Sequence, residues 1–303
     1  MKSDILLSIC ISTYNRAGIL EKTLETLTND QDFTSNIEVI IGDNGSNDNT
    51  QEVCIRYSQK YNNIKWFKNN KNINVYNFTK VLSMASGLYV KFFNDTQRPK
   101  PGTLGFIKNQ ILKYKDSNVD LYFANAGGLV KKGVFHCKRP ESLMKVLSFY
   151  TTWSGNFGSF KKYFDEIPNK DRGADMLFCQ ADWVYGSSVK RGIIVFCDDF
   201  YEVEKTMKKD NYNFIKTFTG NYFKTLDLNL GWSWMREFDK YRIFTKHLVP
   251  YMYFFFVAKD GYTYNKSGAW SQLFRYYWYY PYTYFYIPFY FLTKYIINKL
   301  RIK

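Results

Sequence analysis

The stretch SICISTYNR, Ser8–Arg16, predicts a buried strand that ends in polar and aromatic side chains. Its first residues are apolar or small, and directly after them come Thr13, Tyr14, Asn15 and Arg16. In open parallel sheets, ligands bind at the carboxyl ends of the strands. Taken alone, the pattern fits a ligand site and an ordinary strand-to-helix loop equally well.

The same arrangement recurs twice further along the chain. In EVIIGDNGSNDNT, Glu38–Thr50, a strand is followed by Asp43 and then by a Gly/Asn/Ser turn that leads into a helix. In LYVKFFNDT, Leu88–Thr96, a third strand ends in an Asn-Asp-Thr triplet. Helix capping accounts for Asp48 but not for Asp43, which lies at the strand end. Three such strand ends predict one shared crevice.

Apolar runs and helical periodicities alternate through the first half of the chain. Continuous apolar strands separated by helices predict an α/β fold with a mostly parallel sheet covered on both faces. The predicted strands are 5–12, 37–41, 64–68, 88–93, 119–124 and 193–197. Helices are predicted over 17–27, 48–61, 77–85, 103–115, 140–150 and 174–192.

The composition restricts the class of protein. With 303 residues and 46% hydrophobic content the chain can bury a core, which excludes global disorder. The net charge of +15 predicts an anionic partner. No nucleic-acid-binding motif accompanies this charge, so nucleic acid is disfavoured. A dehydrogenase is disfavoured too, because no G-x-G-x-x-G follows the first strand.

The five cysteines are scattered without a CxxC pair, and the chain has only two histidines. A Cys/His zinc site is therefore not expected. The pattern instead predicts reduced cysteines and a cytosolic protein. The N-terminal apolar run is interrupted by Ser8 and leads into polar residues without a cleavage-like site, so we do not expect a signal peptide.

The order SICISTYNR, EVIIGDNGSND, ASGLYVKFFNDT and QADW resembles the family-2 glycosyltransferases over about residues 4–200. These are inverting enzymes of the GT-A fold that use nucleotide sugars. The similarity is greatest to the bacterial O-antigen and lipooligosaccharide branch, which includes abequosyltransferase-like proteins. No single motif is specific, but four in this order are a strong signal.

The resemblance implies a nucleotide site at the first strand ends. Thr13 and Tyr14 would hold the nucleobase, with Tyr14 against the ring, and Asp43 would accept a hydrogen bond from the base. Arg16 is a further nucleotide contact. Asn44 stands where the family has the second Asp of a pair, and it is counted with the nucleotide-binding residues.

The resemblance also implies a divalent cation, Mg²⁺ or Mn²⁺, on the leaving diphosphate. The family holds it with a D-x-D motif, and this chain has Asn94-Asp95-Thr96 in that place. Asp95 would lie near the ribose and the metal, with Thr96 at the usual metal-binding Asp. Two alternatives are a metal held loosely by Asp95 and the diphosphate, or partial replacement by the cations Lys80, Arg98 and Lys100.

Asp182 matches the Asp that acts as catalytic base in the family, since an inverting transfer needs one base. The alternative is an exposed helical Asp that pairs with Lys190 or Arg191. Trp153 and Asn156 lie in the segment that the family places beside the acceptor. Trp183 either stacks on the acceptor sugar or belongs to the core.

The C-terminal segment 236–303 is basic, with eleven Lys/Arg against three Asp/Glu, and aromatic. Tyr276–Thr293 contains no charge and twelve aromatic residues. Eight tyrosines and two prolines suit a membrane interface better than a hydrocarbon core. We expect a monotopic anchor on the anionic inner leaflet. The alternative is a helical subdomain that packs on the catalytic domain or on another subunit of a homo-oligomer.

The sequence therefore predicts a GT-A catalytic domain over 1–235 and an aromatic, basic helical tail over 236–303. The expected function is inverting transfer of a sugar from a nucleotide-sugar donor to a hydroxyl of a glycan acceptor, lipid-linked, in bacterial O-antigen, lipooligosaccharide or capsule synthesis. The expected location is the cytoplasmic face of the cell membrane. The alternatives are a polyprenyl-phosphate sugar synthase and a non-catalytic protein that binds nucleotide sugars or membranes.

Overall fold

The computed structural model describes residues 5–127, 130–204, 208–209, 213–258 and 263–301. Contacts divide the chain into two units, Met1–Lys205 and Thr206–Lys303. The predicted boundary between residues 235 and 236 falls inside the second unit. Segments on both sides of that boundary pack together there, as shown by the ring of Phe214, which stacks on Tyr251 with ring centroids 4.4 Å apart.

Strands and helices alternate in the first unit, as the sequence predicts. The strands are β1 Leu7–Thr13, β2 Ile37–Asp43, β3 Ile64–Lys68, β4 Tyr89–Asn94, β5 Gln97–Pro99, β6 Val119–Asn125, β7 Gly133–Cys137, β8 Gly158–Phe160, β9 Gly192–Asp198 and β10 Tyr201–Val203. The helices are α1 Ala17–Thr28, α2 Thr50–Lys60, α3 Tyr76–Ser83, α4 Thr103–Tyr114, α5 Pro140–Leu147, α6 Lys161–Asp165 and α7 Cys179–Lys190.

The main sheet has five strands in the order β3-β2-β1-β4-β8. The first four strands are parallel, and β8 is antiparallel to β4. Strands β1, β2 and β4 are buried along almost their whole length because helices cover the sheet. The predicted mostly parallel α/β sheet is therefore confirmed.

The core of this unit joins the central strands to helices α1 and α4. The helix α1 buries Leu20, Leu24 and Leu27, which are spaced to lie on one helical face. All five cysteines of the chain are buried and free of disulfides. Burial raises the pKa of each thiol, to about 11 for Cys137 and to about 12 or higher for the others.

The strand β6 does not join the main sheet. It pairs in parallel with β9 in a separate three-stranded sheet of order β6-β9-β7. The free edge of β4 is taken by β8, so β6 finds its partner elsewhere. The two sheets remain in contact, since Tyr89 Oη donates a hydrogen bond to the Leu121 carbonyl at 2.8 Å.

The helix predicted over 174–192 is shorter in the structure. A 3₁₀ turn occupies Ala174–Met176, and Leu177 has a left-handed backbone with φ of 68°. This conformation is incompatible with a continuous right-handed helix, so α7 begins only at Cys179. It ends at Lys190, close to the predicted end.

The second unit is helical. Its α-helices are α8 Phe214–Lys216, α9 Tyr222–Asp227, α10 Trp234–Ile243, α11 Val249–Tyr253, α12 Ala269–Tyr277 and α13 Tyr282–Arg301, joined in part by π-helical turns at Thr217–Asn221, Phe244–Leu248 and Phe254–Ala258. Two short strands, β11 Lys208–Lys209 and β12 Thr263–Tyr264, pair in parallel.

The aromatic stretch Tyr276–Thr293 is divided between α12 and α13. On α13, Thr283 and Ile287 face inward, while an apolar stripe faces outward. The apolar stripe consists of Phe285, Phe289, Leu292, Ile296 and Leu300, all exposed. No helix in the described part of the chain has the length and apolar content that a membrane span requires.

Candidate functional site

The parallel register brings the predicted strand ends to one edge of the main sheet. Thr13 at the end of β1 lies opposite Asp43 at the end of β2. On the other side of β1, Ser12 lies opposite Asn94, the last residue of β4. The three stretches singled out in the sequence therefore meet at a shared crevice, where a parallel sheet places its ligands.

Asp95 is the centre of this edge. Thr13 Oγ1 donates to its Oδ2 at 3.0 Å, and Arg16 Nη1 donates to its Oδ1 at 2.8 Å. Thr23 Oγ1 donates to the Asp95 backbone carbonyl at 2.6 Å. Burial raises the pKa of the Asp95 carboxyl, and the neighbouring Arg16 only partly offsets this effect. Both carboxylate oxygens are thus already engaged by the protein.

Asp43 keeps one carboxylate oxygen without a partner. Its Oδ1 accepts a hydrogen bond from the Ser46 backbone N–H at 2.9 Å. Its Oδ2 is buried and contacts no donor of the described residues. A buried carboxylate oxygen without a donor is costly, so this atom is suited to accept a hydrogen bond from a ligand.

The turn that follows β1 is fixed to the turn that follows β2. Asn15 has a left-handed backbone, with φ of 51°, which asparagine tolerates better than most residues. Its N–H donates to Ser46 Oγ at 2.8 Å, and its Oδ1 accepts from the Asn47 N–H at 2.8 Å. Tyr14, the residue after Thr13, which lies opposite Asp43 in the register, keeps an exposed side chain.

Asn44 uses its side chain to hold the loop before α3. Its Nδ2 donates to Asn72 Oδ1 at 2.8 Å and to the Asn74 carbonyl at 3.2 Å. Its Oδ1 accepts from Asn69 Nδ2 at 3.1 Å and from the Ile73 N–H at 2.9 Å. An aspartate could not donate the first two bonds, which explains the amide at this position. The carboxamide supports the site rather than facing it.

The Asn94-Asp95-Thr96 triplet does not fit a protein-held divalent ion. Mg²⁺ sites use one or two free carboxylates together with phosphate oxygens. Here Asp95 is engaged by Thr13 and Arg16, and Asn94 Oδ1 accepts from Ser154 Oγ at 2.7 Å. Within the described ranges, no three His, Cys, Asp or Glu side chains are grouped as metal ligands would be. We therefore derive no step through a metal.

The three lysine and arginine side chains considered for the diphosphate have other partners. Lys80 Nζ donates to Asn69 Oδ1 at 2.6 Å. Arg98 Nη1 pairs with Glu204 Oε2 at 2.7 Å, and Lys100 pairs with Asp199. Arg16 is the cation that contacts Asp95.

Asp182 lies in the first turn of α7 with only 1% of the residue exposed. Arg172 binds it with two hydrogen bonds, from Nε to Oδ2 at 2.8 Å and from Nη2 to Oδ1 at 2.6 Å. These bonds raise the pKa of the guanidinium. The alternative partners, Lys190 and Arg191, are not the ones observed. Each carboxylate oxygen has a second lone pair, so the bonds to Arg172 do not prevent the carboxylate from accepting a proton.

Arg172 was missed in the sequence, which has no local signal for it. It lies ten positions before Asp182, in the irregular segment that precedes α7. Only the fold brings the two together.

The acceptor candidates Trp153 and Asn156 lie together beside β4. They line a small, open cleft with Asn94, Gln97, Asn125, Gly155, Tyr201 and Val203. Trp153 is 39% exposed, whereas Asn156 is buried. Trp183 has the second of the two roles considered: it is a core residue, whose Nε1 donates to the Lys170 carbonyl at 2.8 Å between the rings of Phe157 and Phe164.

Lys91 is fully buried, and the sequence signal for it is a single charge within the apolar run of β4. Its Nζ donates to the carbonyls of Gly155, Phe92 and Phe157, the last two at 3.3 Å. Burial lowers the pKa of this amine well below its ordinary value. The lysine links β4 to the segment that carries Trp153 and Asn156.

The family model for glycosyl transferase family 2 matches residues 8–167. Among curated proteins, abequosyltransferase RfbV of Salmonella typhimurium is 32% identical over 123 residues, covering 40% of this chain and 36% of the relative. The GalNAc(5)-diNAcBac-PP-undecaprenol beta-1,3-glucosyltransferase of Campylobacter jejuni is 34% identical over 100 residues, covering 32% of each chain. The matches thus span about a third of these relatives.

Among solved structures, that of S. aureus TarS in complex with UDP-GlcNAc is similar with a TM-score of 0.57. The match covers 85% of this chain and 75% of that one, at 17% identity. At this identity the likeness shows the fold alone.

Proposed function

We propose that this chain, which belongs to glycosyl transferase family 2, is a glycosyltransferase that moves a sugar, with inversion, from a nucleotide-sugar donor to a hydroxyl of a glycan acceptor. The nucleotide would bind at the carboxyl ends of β1, β2 and β4. Thr13, Tyr14, Arg16, Asp43 and Asp95 are its proposed binding residues, with Asn44 supporting them from behind.

One observation supports this proposal more than any other: among the described residues, the buried Oδ2 of Asp43 has no partner at the edge of the sheet where the exposed Tyr14 follows β1. A nucleobase offers both an N–H donor and a flat aromatic face. The first would complete the hydrogen bonding of Asp43, and the second would stack on Tyr14. The family's use of nucleotide sugars gives the same assignment.

We assign the catalytic base to Asp182. An inverting displacement needs one group that takes the proton of the acceptor hydroxyl as that hydroxyl attacks the anomeric carbon. Arg172 would hold the carboxylate in place for the acceptor hydroxyl. The acceptor sugar would enter beside Trp153 and Asn156.

The acceptor is proposed to be a lipid-linked glycan of bacterial O-antigen, lipooligosaccharide or capsule synthesis. Support comes from the two relatives, one named as an abequosyltransferase and one named for a PP-undecaprenol-linked acceptor. The proposal places the protein at the cytoplasmic face of the cell membrane, with the catalytic residues in the first unit, Met1–Lys205, and the membrane-associated tail, 236–303, within the second unit.

The tail's composition supports a lipid partner rather than a second copy of the chain. Residues 263–301 contain five Lys/Arg and no Asp or Glu, and α13 exposes the apolar stripe. Two copies of this surface would repel each other, whereas an anionic bilayer attracts the cations and accepts the apolar side chains.

The full-length protein should be incubated with labelled UDP-, GDP-, CDP- and dTDP-sugars and either lipid-linked oligosaccharides from bacterial membranes or bare undecaprenyl phosphate. We expect label to enter the oligosaccharide fraction from one donor class, and the anomeric configuration of the product to be opposite to that of the donor. Transfer to undecaprenyl phosphate alone would instead identify a polyprenyl-phosphate sugar synthase. Absence of transfer from every donor would contradict the proposal.

A further inference from the structure

Arg16 contacts Asp95, the residue near which the family resemblance implies a metal ion. Its Nη1 donates to Asp95 Oδ1 at 2.8 Å, and its backbone N–H donates to Thr50 Oγ1 at 3.3 Å. The side chain is 39% exposed at the crevice edge. Resting on the proposed function, we propose that Arg16, and no divalent metal, supplies the positive charge that stabilises the leaving diphosphate.

The oxygen donors around Asp95 support this assignment. A divalent ion would need carboxylate oxygens that point into the crevice, and Asp95 offers the only carboxylate of its triplet. Both of its oxygens accept hydrogen bonds from Thr13 and Arg16. The Thr96 hydroxyl is a weak ligand for Mg²⁺ or Mn²⁺. A divalent ion on Asp95 would stand next to the Arg16 guanidinium, so two cations would compete for one carboxylate.

The guanidinium of Arg16 has the capacity for a second partner. An arginine carries five N–H donors, and a single nitrogen, Nη1, is bonded to Asp95. In the part of the chain that the structure describes, its remaining N–H groups contact no acceptor, so they can bind phosphate oxygens in pairs. Asp95 would thus serve to hold the guanidinium in place rather than to bind a metal.

The other candidate cations are less suited to this task. Lys80, Arg98 and Lys100 are each engaged by Asn69, Glu204 and Asp199, respectively. Arg16, in contrast, precedes α1 directly and lies at the ends of β1 and β4. It is therefore fixed at the crevice before the nucleotide arrives, which is the arrangement that electrostatic stabilisation requires.

The chemical step balances without a metal. The bond between the anomeric carbon and the diphosphate oxygen breaks, and its electron pair stays on that oxygen. The acceptor oxygen forms the new bond to carbon, and its proton passes to Asp182. The negative charge that develops on the diphosphate is met by the Arg16 guanidinium, which bears a fixed positive charge.

The first experiment measures the melting temperature of the full-length protein with UDP, GDP, CDP and dTDP, each in EDTA and in Mn²⁺. We expect one diphosphate to raise the melting temperature equally in both conditions. Stabilisation that occurs in Mn²⁺ and disappears in EDTA would overturn the metal-free assignment and leave the proposed function intact. If no diphosphate stabilises the protein in either condition, the proposed function fails, and this inference fails with it.

The second experiment compares the nucleoside with its diphosphate, in EDTA, for Arg16→Met, Arg16→Lys and wild type. Losing the guanidinium should weaken diphosphate binding about 10- to 100-fold, with lysine intermediate, and leave nucleoside binding unchanged. The matched control is Arg56→Met, since Arg56 is also exposed and paired with a carboxylate, that of Glu21 on α1. Equal diphosphate affinity in Arg16→Met and Arg56→Met would overturn the role of Arg16.

Discussion

At the scale of single residues, we predict that sugar transfer depends on the Asp182 carboxylate, which Arg172 holds in place. Asp182→Asn keeps the shape of the side chain but cannot take a proton, so transfer should fall about 100- to 10,000-fold while nucleotide binding persists. The rate of sugar transfer and the nucleotide-induced rise in melting temperature are the two measurements.

A control for this variant is Asp175→Asn. Asp175 is exposed in the 3₁₀ turn that precedes α7, and its Oδ1 accepts a long hydrogen bond from Tyr76 Oη at 3.4 Å. It should transfer sugar at the wild-type rate. If Asp182→Asn does so too, Asp182 is not the base.

Asp120 should make the stability of the first unit against unfolding depend on pH. Its carboxyl is fully buried, and burial raises its pKa from 3.8 to about 6, although hydrogen bonds from Ser159 Oγ and the Phe160 N–H act in the opposite direction. Between these values the folded chain holds a proton that the unfolded chain has lost. This residue's contribution to the free energy of unfolding therefore decreases as the pH rises through that range.

Asp120→Asn removes this titration. From about pH 4.5 to about pH 7, wild type should lose about 2 kcal/mol of unfolding free energy relative to the variant. Urea unfolding of both proteins across this range measures the difference. Parallel stability curves would show that Asp120 titrates normally in the folded chain.

The sequence predicted the acidic residues of the candidate site but not their partners. The order of the motifs predicts Asp43, Asp95 and Asp182 as site residues. Asp43 and Asp95 lie at strand ends, and Asp182 lies in the QADW motif. Arg172 depends on the path of an irregular segment, which no periodicity encodes. Asn44 resembled a lost aspartate, whereas its amide is needed for the bonds to Asn72 and Asn74.

At the scale of elements, the pairing of β8 with β4 requires a glycine at position 158. A Cβ on Gly158 would lie 2.3 Å from Tyr89 Oη and 2.8 Å from the Tyr89 ring, which packs edge-on against Phe123 and Phe160. Gly158→Ala should therefore lower the free energy of unfolding by about 1 to 3 kcal/mol through overpacking. Thermal or urea unfolding measures this loss.

Gly18→Ala is the matched control, since a Cβ there meets nothing within 4 Å and the residue lies in α1. Alanine favours the helix, so this variant should be about 0.5 to 1 kcal/mol more stable than wild type. Equal effects of the two substitutions would contradict the close approach of Tyr89.

Element type was predictable from the sequence where the pattern is local. The strand over 64–68 coincides with β3, and α1 and α4 agree within a residue or so. The pairing partner of each strand was not predictable, because an apolar run contains no information about the strand with which it forms hydrogen bonds. That is why β6 was placed in the main sheet, and the left-handed Leu177 likewise had no signature before α7.

For the whole molecule, we predict that the full-length chain binds vesicles that contain anionic lipid and does not bind neutral ones. The double variant Phe285→Ser/Phe289→Ser removes two exposed rings, 76% and 64% accessible, from the apolar stripe. Vesicle affinity should fall about 10-fold or more, since each lost ring removes apolar area from the bilayer. Co-sedimentation with phosphatidylglycerol vesicles measures it.

The control is Leu112→Ser/Val189→Ser, which alters two exposed apolar residues of the first unit, on α4 and α7. This variant should sediment like wild type. If both double variants bind equally well, the apolar stripe does not contact the membrane.

The division of the molecule was predictable only in outline. Composition separates a basic, aromatic C-terminal segment from the α/β region, but the contacts begin the second unit at Thr206 rather than at residue 236. The residues in between are not distinguished by charge. They join the second unit through ring packing such as that of Phe214 on Tyr251.

The burial of all five cysteines has a practical consequence for labelling. Thiol reagents attack the thiolate, and the pKa values of these thiols, about 11 and higher, leave almost none of it at neutral pH. One cysteine introduced on the apolar stripe, as Phe285→Cys, would be the dominant reactive thiol in an otherwise native chain. A polarity-sensitive dye attached there could follow lipid contact in real time, with no need to remove any natural cysteine.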